Sequence, residues 1–235
     1  GRLITSLAQD TNHRDMMAGR FGRMGIAGAG IGGLATAISI GQRCSHVREI
    51  VIYERAAAPR TRDTQARSRT QGRGAALLLW SNAVAALRSL GLHEPVDLAS
   101  AVLDSTEVHS KSGALLSTLD VGPWSEEAGA PTVVIRRPDL LDILEAHLPS
   151  NVVVEFGRPL GGFVERKDHV ELRFEDGTSD HVDALIGADG LSSVVRRQIL
   201  GDEPARAAGY DAWVGITPHR PAAVEDGLAV ATIGQ

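Results

Sequence analysis

The chain has 235 residues, 43% of them hydrophobic and 23% charged, with a formal net charge of −5. That is the composition of a globular chain able to bury roughly 70–75% of its unfolded surface, as one large domain or two intimate ones. An acidic balance excludes broad binding to nucleic acid or acidic membranes, and no apolar run approaches the roughly 18–20 residues that a membrane helix needs.

In chain order, residues 1–23 read as a poorly ordered leader. The chain begins at Gly1 and not at Met, and is read as a processed or excised piece. Residues 24–27 form a short apolar strand ending at Gly28. Residues 31–40 follow as a helix with Gly41 as its C′ glycine. "EIVIY", 49–53, is apolar throughout, as suits a parallel strand buried on both faces. Residues 56–74 are an Arg-rich polar loop, and 75–79 another strand. Ser81 or Asn82 caps a helix that runs to Leu90 and closes at Gly91. Residues 106–109 and 114–120 make a hairpin turning at Lys111-Ser112-Gly113. A strand at 133–135 leads to a helix with Pro138 in its first turn. Strands at 152–156, 163–165 with 170–174, and 178–182 suit a meander, turning at Lys167-Asp168 and Asp176-Gly177. "ALIGA" is a further strand, and "YDAWVGITP" one more near the end.

Two stretches carry chemistry. "GIAGAGIGGLATAISI" holds Gly28-x-Gly30-x-x-Gly33 between a strand and a helix. Gly28 permits the tight turn, Gly30 close approach of backbone to a pyrophosphate, and Gly33 close packing of helix on strand. The leading N–H groups of that helix favour an anion. Glu54 ends the next strand, 21 residues beyond Gly33, close to the spacing of a ribose-binding acid. A carboxylate there accepts from ribose hydroxyls and repels a 2′-phosphate, so NAD or FAD fits and NADP does not. A glycine turn without a ligand, with Glu54 a solvated acid, is the plainer alternative.

The second stretch is "DALIGADGLSSVVRRQIL", 183–200. Its strand is expected beside the first, which places Asp189 and Gly190 at the carboxyl edge of the same sheet, where ligands bind in open α/β folds. Ser193 and Arg196 fall one turn apart on one helix face. Asp189 then holds a polar cofactor group, and Arg196 pins Asp189 or reaches a phosphate. Taken alone, the same residues are also a helix start capped by Asp189 with solvated arginines.

Together these stretches resemble the flavoprotein aromatic hydroxylases, the single-component FAD-dependent monooxygenases. "GAGIGG", Gly28, Ala29, Gly30, Ile31, Gly32 and Gly33, with Glu54 and Arg55 of "YERA", is similar to the family's FAD-adenosine site. "GADGLSSVVRR" matches its Asp-Gly-x-x-Ser-x-x-Arg signature at Asp189, Gly190, Ser193 and Arg196, which in the family serves FAD and NAD(P)H. "GAALLLWSNAVAALRSLGL" resembles the stretch after the second strand. "IRRPDLLDIL" resembles an Arg-x-x-Leu element, mapping to Arg137 and Leu140, whose arginine approaches FAD. Arg73 falls near another flavin-contacting arginine of the family. The resemblance covers about residues 24–216.

It implies an α/β fold: a Rossmann-like FAD-binding domain with a parallel central sheet and a β-meander, plus an incomplete antiparallel substrate-domain sheet. The FAD-binding domain is expected at 24–92 and 131–200, and a partial substrate domain at 93–130 and 201–235. The function implied is NAD(P)H-dependent hydroxylation or epoxidation of a small organic substrate through a flavin C4a-hydroperoxide. The cofactor carries that chemistry, which explains why no nucleophile or acid–base pair stands out. Tyr210 and Trp213 are the expected substrate-side residues. The family's later Gly-Asp-Ala-Ala-His segment is absent from the sequence, and Gly201-Asp202 does not replace it. The chain is therefore read as an N-terminal portion. A catalytically inactive remnant acting through protein contacts is the competing expectation, with self-association through incomplete sheet edges. An NAD-dependent dehydrogenase is a third reading, but it leaves "GADGLSSVVRR" without a role.

Other patterns are weaker. The eight His are scattered, without metal-ligand spacing, so no metal is expected. Cys44 is the only cysteine, so no disulfide forms within the chain and an intracellular, reducing compartment is expected. Trp80 and Trp124 are expected in packing. Arg67 and Arg69, with Arg73, form a basic loop that is either solvated or a phosphate contact.

Overall fold

The computed structural model describes residues 21–57, 76–203, 206–209 and 226–233. β1 (Arg23–Ala27), α1 (Ile31–Arg43) and β2 (Glu49–Glu54) form a β-α-β unit. The two strands are parallel, with Arg23 opposite Glu49 and Ala27 opposite Tyr53. Ile26, Leu34, Ile38, Ile50 and Ile52 are fully buried, as expected where a helix covers an aliphatic parallel sheet.

Two boundaries differ from expectation. Arg23, expected in the leader, opens β1: its guanidinium bonds Glu49 and Asp180, and its N–H donates to Asp183. Gly41 does not end α1, which continues to Arg43 with Cys44 as its cap. A Cβ on Gly41 would lie 2.6 Å from the Pro149 Cγ, so this glycine allows close packing and does not terminate the helix.

The next elements belong to a second compact unit. They are β3 (Ala76–Leu79), α2 (Ser81–Ser89), α3 (His93–Ala99), β4 (Ser100–Val102), β5 (Ser105–Ser110), β6 (Leu115–Asp120), α4 (Gly122–Ala128), β7 (Val133–Arg136) and α5 (Arg137–Ala146). β7 pairs antiparallel with β3 on one side and β4 on the other. Gly91 (φ +79°) closes α2, with the Leu92 N–H returning to the Leu87 carbonyl. Ser81 is not the side-chain cap expected. It starts α2 behind Trp80, and its hydroxyl is buried 2.9 Å from that of Thr132. Trp80 and Trp124 meet edge to face, centroids 5.6 Å apart, and both stay partly exposed. α3, β4 and α4 have no counterpart in the sequence reading.

The chain then returns to the first unit with β8 (Val152–Phe156), β9 (Leu160–Glu165), β10 (Val170–Phe174), β11 (Ser179–Val182), β12 (Ala184–Gly187) and α6 (Val194–Leu200). β8 was expected in the meander, but it pairs parallel with β2. The meander is β9-β10-β11, antiparallel. β12 lies parallel to β1 on its other side, completing a four-stranded parallel sheet in the order β12-β1-β2-β8. Leu160, Leu172, Phe174 and Val182 of the meander pack with Ala27, Val51 and Tyr53 on one face of that sheet. β13 (Leu228–Ile233) belongs to the second unit and runs parallel to β5, itself antiparallel to β6. The protein is mixed α/β, with a parallel sheet of Rossmann type and additional antiparallel sheets. Among the described residues no helix is long and apolar enough to cross a membrane.

Candidate functional site

β1 is flanked in register by its two neighbours: Ala27 stands opposite Gly187 of β12 and Tyr53 of β2. The residues that follow, Gly28, Ala188 and Glu54, therefore emerge side by side at the carboxyl edge of one parallel sheet, the place where α/β folds bind ligands. Backbone bonds hold that row. The Gly28 N–H donates to the Tyr53 carbonyl (2.8 Å) and the Ala188 N–H to the Ala27 carbonyl (2.9 Å).

The three glycines meet distinct constraints. Gly28 has φ +98°, a left-handed conformation that favours glycine, and a Cβ there would lie 2.6 Å from the Ala188 carbonyl oxygen. Gly33 presses α1 onto the turn, since its Cβ would fall 1.9 Å from the Gly28 oxygen. Gly30 is the N-cap of α1 at φ −77°, ψ −177°, and a Cβ there would meet nothing within 4 Å. The turn thus leaves room for a phosphate at the head of a helix whose first N–H groups have no intrahelical acceptor. Ala29 is buried, Ile31 half-buried and Gly32 exposed.

Glu54 is half-buried at the tip of β2. Its Oε2 accepts from the Ala29 N–H at 2.8 Å and its Oε1 from the Ala56 N–H at 2.9 Å. Arg55 is exposed beside it. The tip of β2 is tied to the turn after β8: the Arg158 N–H donates to the Glu54 carbonyl and the Gly157 N–H to that of Ala56.

The Asp189 carboxylate braces the start of α6, whose N-cap is Ser193. It accepts from the Ser193 hydroxyl (2.5 Å) and from the N–H groups of Val194 (2.7 Å) and Val195 (3.2 Å). Ser193 is buried, and its hydroxyl accepts from the Arg196 N–H at 2.9 Å. The N-cap is therefore Ser193 and not Asp189, whose carboxylate instead ties the Ser193 hydroxyl to the first two N–H groups of α6. The Arg196 guanidinium bonds neither Asp189 oxygen. It donates to the carbonyls of Gly190 (3.2 Å) and Leu191 (2.6 Å), so it holds the loop between β12 and α6. Gly190, φ +77°, supplies the left-handed turn in that loop.

Arg137 opens α5 in the second unit. Arg73, Tyr210 and Trp213, like Arg67 and Arg69, lie outside the described residues. No group of three or more potential metal ligands occurs among the described residues.

Tyr53, Asp180 and Asp183 escaped the sequence reading. The Tyr53 phenol donates to Asp180, and Asp183 accepts from the N–H groups of Gly22 and Arg23 at the start of β1. A phenol within an otherwise aliphatic buried strand signals a polar partner. Nothing local to Asp180 identifies it as that partner.

No protein-family model matches the chain. Its sequence is 36% identical over 200 residues to a 3-amino-4-hydroxybenzoate 2-monooxygenase of Streptomyces cremeus, an alignment covering 83% of this chain and 46% of the relative. It is 32% identical over 191 residues to an aurachin C monooxygenase/isomerase of Stigmatella aurantiaca, covering 81% and 46%. The structure is similar to that of HpxO from Klebsiella pneumoniae complexed with FAD and uric acid, with TM-score 0.64, 27% identity, and coverage of 78% of this chain and 43% of that one. The chain spans about half the length of the curated relatives it matches. In sequence and in fold, the chain belongs to the FAD-dependent aromatic monooxygenases.

Proposed function

We propose that the chain binds FAD at the carboxyl edge of its parallel sheet, as part of a monooxygenase that hydroxylates or epoxidises a small aromatic substrate with NAD(P)H and O₂. The turn Gly28–Ala29–Gly30 and the start of α1, through Ile31, Gly32 and Gly33, would take the pyrophosphate. Glu54 would accept from ribose hydroxyls, with Arg55 beside it. Asp189, Gly190, Ser193 and Arg196 would shape the neighbouring wall. Arg73, Arg137, Tyr210 and Trp213 stay in the proposal on the resemblance alone.

The observation that carries the reading is the contact of two distant pieces of chain. A Cβ on Gly28 would strike the Ala188 oxygen, and the Asp189 Cα is 3.0 Å from the same point. A nucleotide entering the glycine turn would therefore meet the "GADG" loop at once. A bound flavin supplies electron transfer from NAD(P)H and activation of O₂, while the residues of the chain bind, orient and shield it.

Titration of the purified chain with FAD, followed by flavin fluorescence, tests the binding step. Saturable quenching with a Kd of about 10 μM or tighter is expected. A protein that leaves FAD fluorescence unchanged at several times that concentration would remove the reading.

A further inference from the structure

We infer that Glu54 is a positioning residue for the phosphate-binding turn itself, in addition to being an acceptor for ribose hydroxyls. The inference deepens the FAD-binding reading and rests on it. Both carboxylate oxygens are engaged by backbone, Oε2 with the Ala29 N–H and Oε1 with the Ala56 N–H, so the side chain is held at two points. The N–H of Ala29 belongs to the peptide whose carbonyl is that of Gly28. That carbonyl abuts α1, where a Gly33 Cβ would fall 1.9 Å from its oxygen. The plane of the Gly28–Ala29 peptide is thus fixed at both ends, by α1 at its oxygen and by Glu54 at its N–H. The strand tip supplying Glu54 is itself anchored, through the Tyr53 carbonyl to the Gly28 N–H and through the Glu54 carbonyl to the Arg158 N–H.

A carboxylate that served only the ribose would behave differently from one that also sets the turn. Towards a ligand with phosphates but no ribose hydroxyls, a ribose-only Glu54 is a nearby negative charge. Removing it would leave binding unchanged or tighten it. A carboxylate that fixes the peptide plane predicts the reverse, because the turn loses its preset geometry when the bond to Ala29 is lost.

The test compares ADP with 2′,3′-dideoxy-ADP by calorimetry on the full chain and on E54A, E54Q and E54D. E54A is expected to weaken dideoxy-ADP about fivefold, the loss of roughly one hydrogen bond's worth of organisation. E54D keeps the charge but withdraws it by one methylene, and should weaken dideoxy-ADP similarly. E54Q keeps an acceptor for Ala29 and should restore dideoxy-ADP binding to within about twofold of the parent. Amide exchange at Ala29, read without any ligand, should quicken in E54A and E54D and stay near the parent rate in E54Q. Dideoxy-ADP binding that is unchanged or tighter in E54A and E54D would overturn the inference and leave Glu54 a ribose ligand only. If E54A fails to fold, E54D and E54Q carry the comparison. If the parent binds FAD but the Ala29 amide is indifferent to all three variants, the inference fails while the FAD reading stands. If the parent binds no nucleotide, the FAD reading fails, and exchange at Ala29 alone decides whether Glu54 holds the turn.

Discussion

The hydroxyl of Tyr53 lies 2.7 Å from the Oδ2 of Asp180, joining the last buried residue of β2 to the meander packed against it. Arg23 approaches the same carboxylate with two nitrogens, at 2.7 and 3.0 Å. Burial opposes ionisation of Asp180. The hydrogen bonds from Arg23 and Tyr53 outweigh it and hold the pKa at about 2, below the ordinary 3.8. Burial and then Asp180 push the Tyr53 phenol well above its usual range, so it remains a donor at any working pH. A depressed carboxylate contributes stability that is fully present above its unfolded pKa and is lost as the pH falls through its folded one. That window runs from about pH 4 down to about pH 2. Urea midpoints measured across it should fall more steeply in the parent than in D180N. Y53F should lose about 1.5–3 kcal/mol at neutral pH, as for a hydrogen bond to a charged partner. Parallel acid limbs in the parent and D180N would contradict this.

Gly30 and Gly33 should separate binding from folding. Nothing lies within 4 Å of a Cβ on Gly30, and its backbone is open to any residue, so G30A should cost the fold at most about 1 kcal/mol as a poorer N-cap. If the turn takes a pyrophosphate, that methyl group occupies the approach, and FAD affinity should fall at least about tenfold, about 1.4 kcal/mol. G33A sets a Cβ against the Gly28 oxygen and should destabilise the fold outright. Thermal melts and FAD titrations of both variants check the contrast. Unaltered FAD binding in G30A would count against phosphates at the turn.

Gly41 poses a contest of signs. Ala at an ordinary helix-interior glycine gains roughly 1 kcal/mol from propensity. Here the new Cβ would lie 2.6 Å from the Pro149 Cγ and 3.0 Å from its Cβ, a ring that cannot fold away. Overpacking of that kind costs typically 1–3 kcal/mol, so G41A should be net destabilising by about 1 kcal/mol in urea unfolding. A stabilised G41A would show that α1 has freedom to shift from Pro149.

Asp189 accepts from two N–H groups at the start of α6 and from the hydroxyl of its N-cap, Ser193. D189A should lose about 1–2 kcal/mol, as for lost hydrogen bonds to a charged acceptor at a helix start, and free the Ser193 hydroxyl from its partner. D189N retains an acceptor and should lose less. Chemical denaturation of both checks this, and equal losses in the two would mean that the negative charge, not the hydrogen-bonding geometry, stabilises the helix.

Much of the first unit is legible in the sequence because its signals are local. Apolar runs at 24–27 and 49–53, the glycine spacing between them and the acid at Glu54 each depend on a few adjacent residues, and they dictate the β-α-β unit whatever surrounds it. The pairing of β12 with β1 is also foreseeable, since an apolar strand ending at "GADG" needs a place in a buried sheet. Three features follow only from the tertiary structure. β8 joins the parallel sheet beside β2, although its sequence fits a meander equally well, because strand partners are chosen by long-range packing. Gly41 lies inside a helix, and what its missing Cβ makes room for is Pro149, far along the chain. Asp180 matters because folding brings it to Tyr53 and Arg23, more than a hundred residues away. The sequence by itself determined the glycine turn between β1 and α1, whose geometry is encoded within a few residues. Only the tertiary structure decided what holds that turn in place, because those contacts join residues that are distant along the chain.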